Sequence, residues 1–305
     1  MPIPYMGSKR KSASKIYLAI SNREQKGELL DLFCGGFAIS EKFYQNGWIV
    51  KANDKNKYVI ALLNQTINKG LDENIVTEFI TKNKFIDVIK NPYNYDDWYV
   101  GYVQCIWSFG NTQKGYIFGK DVEAVKKAGH ELVINKNQTE LNKLIPNIPQ
   151  KYIDGILKQD NWHKRRIALS KVSKVLNTRI LELQRLEQLQ QLERLEQLQQ
   201  LEFTNFSYDI VNIPKNAVIY CDPPYQGTTE YSEGAFNHDK FWNWCREISK
   251  TNHIYISEYN APDDFMPILT FPQKSTLQGG NQKHNNQPDE KLFIHKSQIK
   301  VSSII

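Results

Sequence analysis

No stretch of the chain approaches the roughly 18 unbroken apolar residues that would cross a bilayer. The opening Met1, Pro2, Ile3 and Pro4 lack the charged, apolar and small-residue zones of a signal peptide. These absences predict a soluble, cytoplasmic protein. Cysteine is scarce: Cys34, Cys105, Cys221 and Cys245 lie far apart with no paired spacing, which argues against a zinc cluster or a disulfide framework and for buried, reduced thiols. A strong charge imbalance is also missing. Lys and Arg exceed Asp and Glu by 39 to 33, a surplus that suits a polyanionic partner without requiring one. Glycine does not supply a full dinucleotide fingerprint either, because "CGGF" at 34–37 ends in Phe37, so a hydride-transferring enzyme fits poorly.

What remains is a chain of 305 residues, 40% apolar, long enough for one large domain or two ordinary ones, each with a real core. "ELLDLF" at 28–33 runs into the glycine turn and then into an apolar-periodic helix through Ala38, Ile39, Phe43 and Tyr44. A second strand, "WIVKAN" at 48–53, ends in Asp54, about twenty residues beyond the glycines, where an acid can accept hydrogen bonds from ribose hydroxyls. Strand, turn, helix, strand and acid in that order point to an adenosine-type ligand. The plainer reading of Asp54 is a cap on a helix starting at Lys55.

Residues 58–165 are mostly helical in pattern, with few strand signals. Trp98, Tyr99, Tyr102, Trp107, Phe109, Tyr116 and Phe118 lie among Lys114, Lys120, Lys126 and Lys127, a mixture suited to phosphates and stacked bases, although each ring singly reads best as core. "WHKRR" at 162–166 reads equally as a solvated helix face or a phosphate contact. From 183 to 201 leucine recurs at every third residue, which winds the leucines around a straight helix instead of along one face. Two readings follow: a helix covered on several sides, by a second subunit for example, or a compact solenoid. The segment, lying between a helix ending near Ile180 and a strand beginning near Phe203, is expected to tolerate changes of length.

The apolar run "AVIY" at 217–220 predicts a strand, and Pro223 with Pro224 must stop it, because neither can donate to a sheet ladder. That leaves an acid and an aromatic ring, Asp222 and Tyr225, in a stiff loop at a strand's carboxyl end, where open α/β sheets bind their ligands. A polar lid is expected at 227–236, an amphipathic helix through Phe241, Trp244, Cys245 and Ile248, a strand at 254–257, and a terminal antiparallel pair at 271–277 and 291–295 around an exposed loop.

Four segments, "PYMGSKRK" at 4–11, "DLFCGGF" at 31–37, "ANDKN" at 52–56 and "YCDPPY" at 220–225, with "ISEYNAP" at 256–262 and "EKLF" at 290–293, resemble the Dam-like family of DNA adenine N6-methyltransferases. The order of donor loop, insert and DPPY is more specific than any one motif. The resemblance implies a Rossmann-like α/β core binding S-adenosylmethionine, with an inserted, mostly helical target-recognition domain. The boundaries are then 1–57 and 166–305 for the catalytic domain, 58–165 for the insert, and 183–202 for the leucine repeat. It implies double-stranded DNA as partner, no metal, and a prokaryotic or phage-encoded enzyme working alone or beside a restriction nuclease.

The chemistry fits these residue types. An exocyclic amine is a poor nucleophile that needs acceptors to draw it toward tetrahedral geometry. Asp222 and the carbonyl of Pro223 would take its two hydrogens, Pro224 would stiffen the turn, and Tyr225 would stack on the flipped-out adenine. By resemblance, Tyr5 and Lys9 lie beside the donor's methionine part, Phe33, Gly35 and Gly36 form the turn beneath it, and Asp54 binds the ribose. Phe206, Ser207 and Tyr208 lie by the donor adenine, with Ser207 where the family often carries an acid. The loop at 257–260 is a weaker candidate for the target-base pocket, and Glu258 has the plainer reading of satisfying loop amides. Cys221 reads as a buried thiol, since no cysteine nucleophile is required. Two alternatives stay open: amino methylation of cytosine N4 or of RNA adenine, and a methyltransferase-fold assembly protein without turnover.

Overall fold

The computed structural model describes residues 3–119, 121–176, 183–198, 201–226, 236–271 and 289–299. The expected lid up to residue 235, the loop at 278–288, the strand residues 272–277, Lys120 and the helix end near Ile180 lie outside the described residues. The chain divides into two compact units, one built chiefly from Gly7–Ile60 and Gln200–Ile305, the other from Ile3–Met6 and Ala61–Gln199.

The first unit is organised by a seven-stranded sheet. Its strands are β1 (Glu28–Asp31), β2 (Ile49–Asn53), β3 (Glu202–Thr204), β4 (Val218–Cys221), β5 (His253–Glu258), β6 (Phe265–Phe271) and β7 (Glu290–His295), in the order β3-β2-β1-β4-β5-β7-β6. The first five are parallel; β7 runs antiparallel to β5, and β6 antiparallel to β7. β4 is buried along its whole length, as a near-continuous apolar run in a covered parallel strand requires. Leu30, Ile219, Ile254 and Phe293 of the sheet share a core with Phe241 and Cys245. Chain order reverses between β1 and β4, so a crevice opens at the carboxyl ends of those two strands. The terminal antiparallel pair is present, its first member among the described residues being Phe265–Phe271, while 272–277 of the expected 271–277 lie outside them. Pro267 and a register shift between Pro267 and Leu269 break its pattern, and both are tolerated because β6 is an edge strand.

Helices α1 (Ala13–Ser21) and α2 (Ala38–Gln45) belong to this unit, and α3 (Lys57–Asn64) begins in it. The second unit continues with α4 (Glu73–Val76), α5 (Lys82–Lys90), α6 (Asp97–Ile106), α7 (Glu123–Asn135), α8 (Thr139–Leu144), α9 (Gln150–Leu157), α10 (Trp162–Val175) and α11 (Gln184–Leu195); α12 (His238–Ile248) returns to the first. Side-chain caps start several of them: Thr81 on α5, Asn161 on α10 and Asn237 on α12. Of the aromatic residues singled out above, Tyr102 and Trp107 are fully buried, whereas Phe109 stands 65% exposed. Arg165 of the "WHKRR" stretch is buried, donating to the carbonyls of Val133, Ile134, Gln159 and Asp160.

Within the leucine repeat, residues Gln184–Leu195 form α11. Leu183, Leu186, Leu189, Leu192, Leu195, Leu198 and Leu201 are all buried. These leucines are buried within a single chain. Arg185 is buried beside it, its guanidinium 4.0 Å above the Trp107 ring and 2.6 Å from His130 Nδ1. Burial and that guanidinium push the His130 pKa down to about 2, so the imidazole is neutral and accepts from Arg185. The nonapeptide "RLEQLQQLE" occurs twice in tandem, at 185–193 and 194–202. Nine residues make about two and a half helical turns, which is why Arg194 of the second copy is exposed where Arg185 of the first is buried.

Candidate active site

At the carboxyl end of β1 the chain turns through Phe33, Cys34, Gly35 and Gly36 into α2. The turn is pinned to both neighbouring strands: Leu32 N donates to Tyr220 O at 3.0 Å, and Cys34 N to Asn53 O at 2.9 Å. Gly35 takes φ 43° and Phe37 takes φ 71°. The left-handed region suits a glycine and strains a bulky side chain. Phe37 holds it because its fully buried ring packs on Phe203, 5.7 Å between centroids. Asp31, the last residue of β1, is buried; Oδ2 accepts from Ser40 Oγ at 2.7 Å, and Oδ1 has no hydrogen-bond partner among the described residues. Burial raises its pKa to about 7.

Asp54, after β2, is tied to this turn. Its Oδ2 accepts from Gly35 N and its Oδ1 from Asn56 N, each at 2.8 Å. The helix cap is Asn56, whose Oδ1 accepts from Tyr58 N and Val59 N, so the plainer reading of Asp54 is not what the geometry bears out. Asn53, buried beside it, is a hub. Its Nδ2 donates to Leu32 O and Phe206 O, both at 3.0 Å, and its Oδ1 accepts from Phe206 N at 3.0 Å and Thr204 Oγ1 at 2.9 Å. One amide thus sets the glycine turn and the segment after β3. In that segment Phe206 is half exposed, Ser207 Oγ donates to Asp209 Oδ1 at 2.5 Å, and Tyr208 stacks on Phe33 with centroids 5.5 Å apart.

The third element is the turn after β4. Asp31 and Tyr220 are partners in the β1/β4 register, so Asp222 emerges beside the glycine turn. Asp222 Oδ2 lies 2.8 Å from Lys9 Nζ, while Oδ1 is buried and has no hydrogen-bond partner among the described residues. Lys9 Nζ also lies 3.6 Å from the buried Glu290 and 4.7 Å from the centroid of Tyr225. Burial raises the Asp222 pKa, and the Lys9 charge with hydrogen bonds from Lys9 and Tyr225 pulls it back. Pro223 is buried, and Pro224 and Tyr225 are partly so. Burial holds the Cys221 thiol well above its ordinary range, so it stays protonated.

A family model for the D12 class of N6 adenine-specific DNA methyltransferases matches residues 5–99 and 173–257, more than half of the chain. The chain belongs to this family. It is an adenine-specific DNA methyltransferase, and adenine N6 in DNA is the position the family modifies. No curated protein matches the chain. The two matched segments of this methyltransferase carry β1 with its glycine turn, β2 with Asp54, and β4 with the Asp-Pro-Pro-Tyr turn.

Of the residues expected from the sequence, Lys9, Phe33, Gly35, Gly36, Asp54, Phe206, Ser207, Tyr208, Asp222, Pro223, Pro224 and Tyr225 all belong to the sheet unit, on loops at the carboxyl ends of β1, β2, β3 and β4 or, for Lys9, paired to one of them. Tyr5 belongs to the helical unit. Lys9 is engaged by two carboxylates of the methyltransferase itself, Asp222 and Glu290. Sequence reasoning named neither Asp31, Asn53 nor Glu290 as site residues. A buried acid closing a strand, as in "ELLD", was the one available signal for Asp31.

Proposed function

We propose that this methyltransferase transfers the methyl group of S-adenosylmethionine to the N6 amino group of an adenine flipped out of duplex DNA, at a specific recognition site. The observation that carries the reading is Asp222: one carboxylate oxygen is anchored by Lys9, and the other is buried, aimed from a rigid proline turn and without a protein partner among the described residues. A buried acceptor left over in this way fits an amino hydrogen of the target base. Asp222 Oδ1 accepts one amino hydrogen and the Pro223 carbonyl the other. Lys9 pulls the Asp222 pKa back down against its burial, which favours the ionised form. Pro224 fixes the turn, and Tyr225 offers its ring to the extruded purine in place of lost base stacking.

The donor fits the neighbouring loops. Its ammonium group matches the buried Oδ1 of Asp31, which has no hydrogen-bond partner among the described residues. Phe33, Gly35 and Gly36 form the floor, Asp54 retains lone pairs for ribose hydroxyls, and Phe206, Ser207 and Tyr208 border the adenine. S-adenosylmethionine, when bound, supplies a methyl group activated on a sulfonium. The helical unit serves as the target-recognition domain, and the exposed Phe109 is one ring there available to DNA. Expression in a host free of DNA methylation, followed by mapping of modified bases, tests the reading: N6-methyladenine at one recurrent site supports it. Methylation confined to cytosine N4 or to RNA, or none at all, contradicts it.

A further inference from the structure

The turn that carries Asp222 is poor in groups able to hold it. Pro223 and Pro224 have no backbone N–H, so the turn has few donors of its own. Its trailing end is held by a side chain from the neighbouring strand. Glu258, the last residue of β5, is buried, and its Oε2 accepts from Gln226 N, the amide directly after Tyr225, at 3.3 Å. Its other oxygen, Oε1, accepts from Tyr259 N at 2.7 Å. The Tyr259 ring then stands edge-on to the Tyr225 ring, with centroids 4.7 Å apart at 78°. Glu258 falls just past the second family-matched segment, which ends at residue 257.

We propose that Glu258 is a positioning residue for methyl transfer, its ionised carboxylate clamping the trailing end of the 222–225 turn to β5 so that Asp222 and Tyr225 keep their working geometry. The inference rests on the function proposed above. Its chemistry is specific, because each oxygen faces an N–H donor and both must be acceptors. A carboxylate meets that demand at full strength; a glutamine sets an N–H donor against one of the two amides, and a protonated glutamate offers a weaker acceptor there. Satisfying loop amides is here the means by which the residue acts on the reaction.

The protonation state of this clamp falls in the working range. Burial raises the Glu258 pKa to about 7; the two amides lower it, the Asp222 charge raises it and Lys9 lowers it. The charged and titratable groups nearby are Asp222 and Tyr225 on the turn, Lys9, Glu290 at the start of β7, and Tyr259. The clamp is closed above about pH 7 and opens as pH falls through it. Asp31, at the end of β1, is also raised to about 7, so the test needs a separate arm for it.

The experiment measures kcat and KM for duplex DNA with purified full-length enzyme between about pH 5.5 and about pH 9, using wild type, Glu258→Gln and Asp31→Asn. Wild type is expected to show a kcat limb rising through about pH 7. Glu258→Gln should lower the plateau kcat about 10- to 100-fold and abolish the limb, with KM for DNA little changed, while Asp31→Asn keeps the limb. A Glu258→Gln enzyme that retains the limb, or a kcat within about twofold of wild type, overturns the inference. So does a wild-type kcat that is flat through this range, a result that does not depend on whether the variant folds. Wild-type enzyme that transfers no methyl group to DNA takes down the proposed function as well, which separates that failure from failure of the clamp alone.

Discussion

Replacing Lys9 with methionine should expose how much of the site rests on one cation. Lys9 Nζ lies 2.8 Å from Asp222 Oδ2, and the two side chains are 7% and 17% exposed. At that separation the attraction is about 6 kcal/mol for an effective dielectric of about 20, offset by the desolvation of both ions. Removing one partner leaves the other buried and uncompensated, which costs about 3–5 kcal/mol. That deficit falls on the charged form alone, so Asp222, already raised by burial, rises further. The sign follows from linkage. A carboxyl whose folded pKa lies above its unfolded value favours the folded state when protonated, and that advantage is lost as pH rises through the folded pKa. Lys9→Met should therefore be destabilised more near pH 8.5 than near pH 5, by at most about 3–5 kcal/mol. Urea unfolding followed by tryptophan fluorescence at the two pH values reads this, and methyl transfer by the same variant should need more alkaline solution. Equal losses at both pH values, or none, would refute the reasoning.

Three further outcomes follow from the same geometry. Asn53→Ala removes two donors and two acceptances that join the glycine turn to the segment after β3, and should cost about 2–4 kcal/mol and weaken donor binding more than DNA binding, measured by thermal melting with and without S-adenosylmethionine. Leu189→Ala, in the buried winding of α11, should cost about 2–5 kcal/mol, whereas the exposed Arg194→Ala should change stability by less than about 0.5 kcal/mol; denaturant midpoints decide. Inserting one more "RLEQLQQLE" turns the helix by about half a revolution and should unfold the helical unit, while inserting two copies restores the facing of the leucines and should be tolerated better, as limited proteolysis of the variants would report.

The parallel half of the sheet was legible because its strands are short apolar runs closed by recognisable punctuation: glycines after β1, an acid after β2, two prolines after β4. The edge strand β6 was not, since "FMPILTF" carries a proline and a register shift that mask the alternation of a strand. For the leucine segment, spacing alone left a covered helix and a solenoid equally open, and only tertiary packing, with Arg185 seated on Trp107, distinguishes them. The motif residues of the site were readable one by one. Their pairings were not, because Lys9 meets Asp222 and Glu290, and Asn53 meets Phe206, across long stretches of chain that carry no local trace of the contact. Glu258 shows the same limit: a loop glutamate in sequence, it gains a role only through the amide of Gln226.

The proposed function turns on Asp222 presenting Oδ1, buried and without a hydrogen-bond partner among the described residues, to the amine being methylated. Purified enzyme should be incubated with methyl-labelled S-adenosylmethionine and a duplex of mixed sequence, and the DNA digested to nucleosides. Label is expected in N6-methyl-2′-deoxyadenosine for wild type, with a loss of at least about 100-fold for Asp222→Ala with donor binding retained. Undiminished transfer by Asp222→Ala, or label in any other nucleoside, would contradict it.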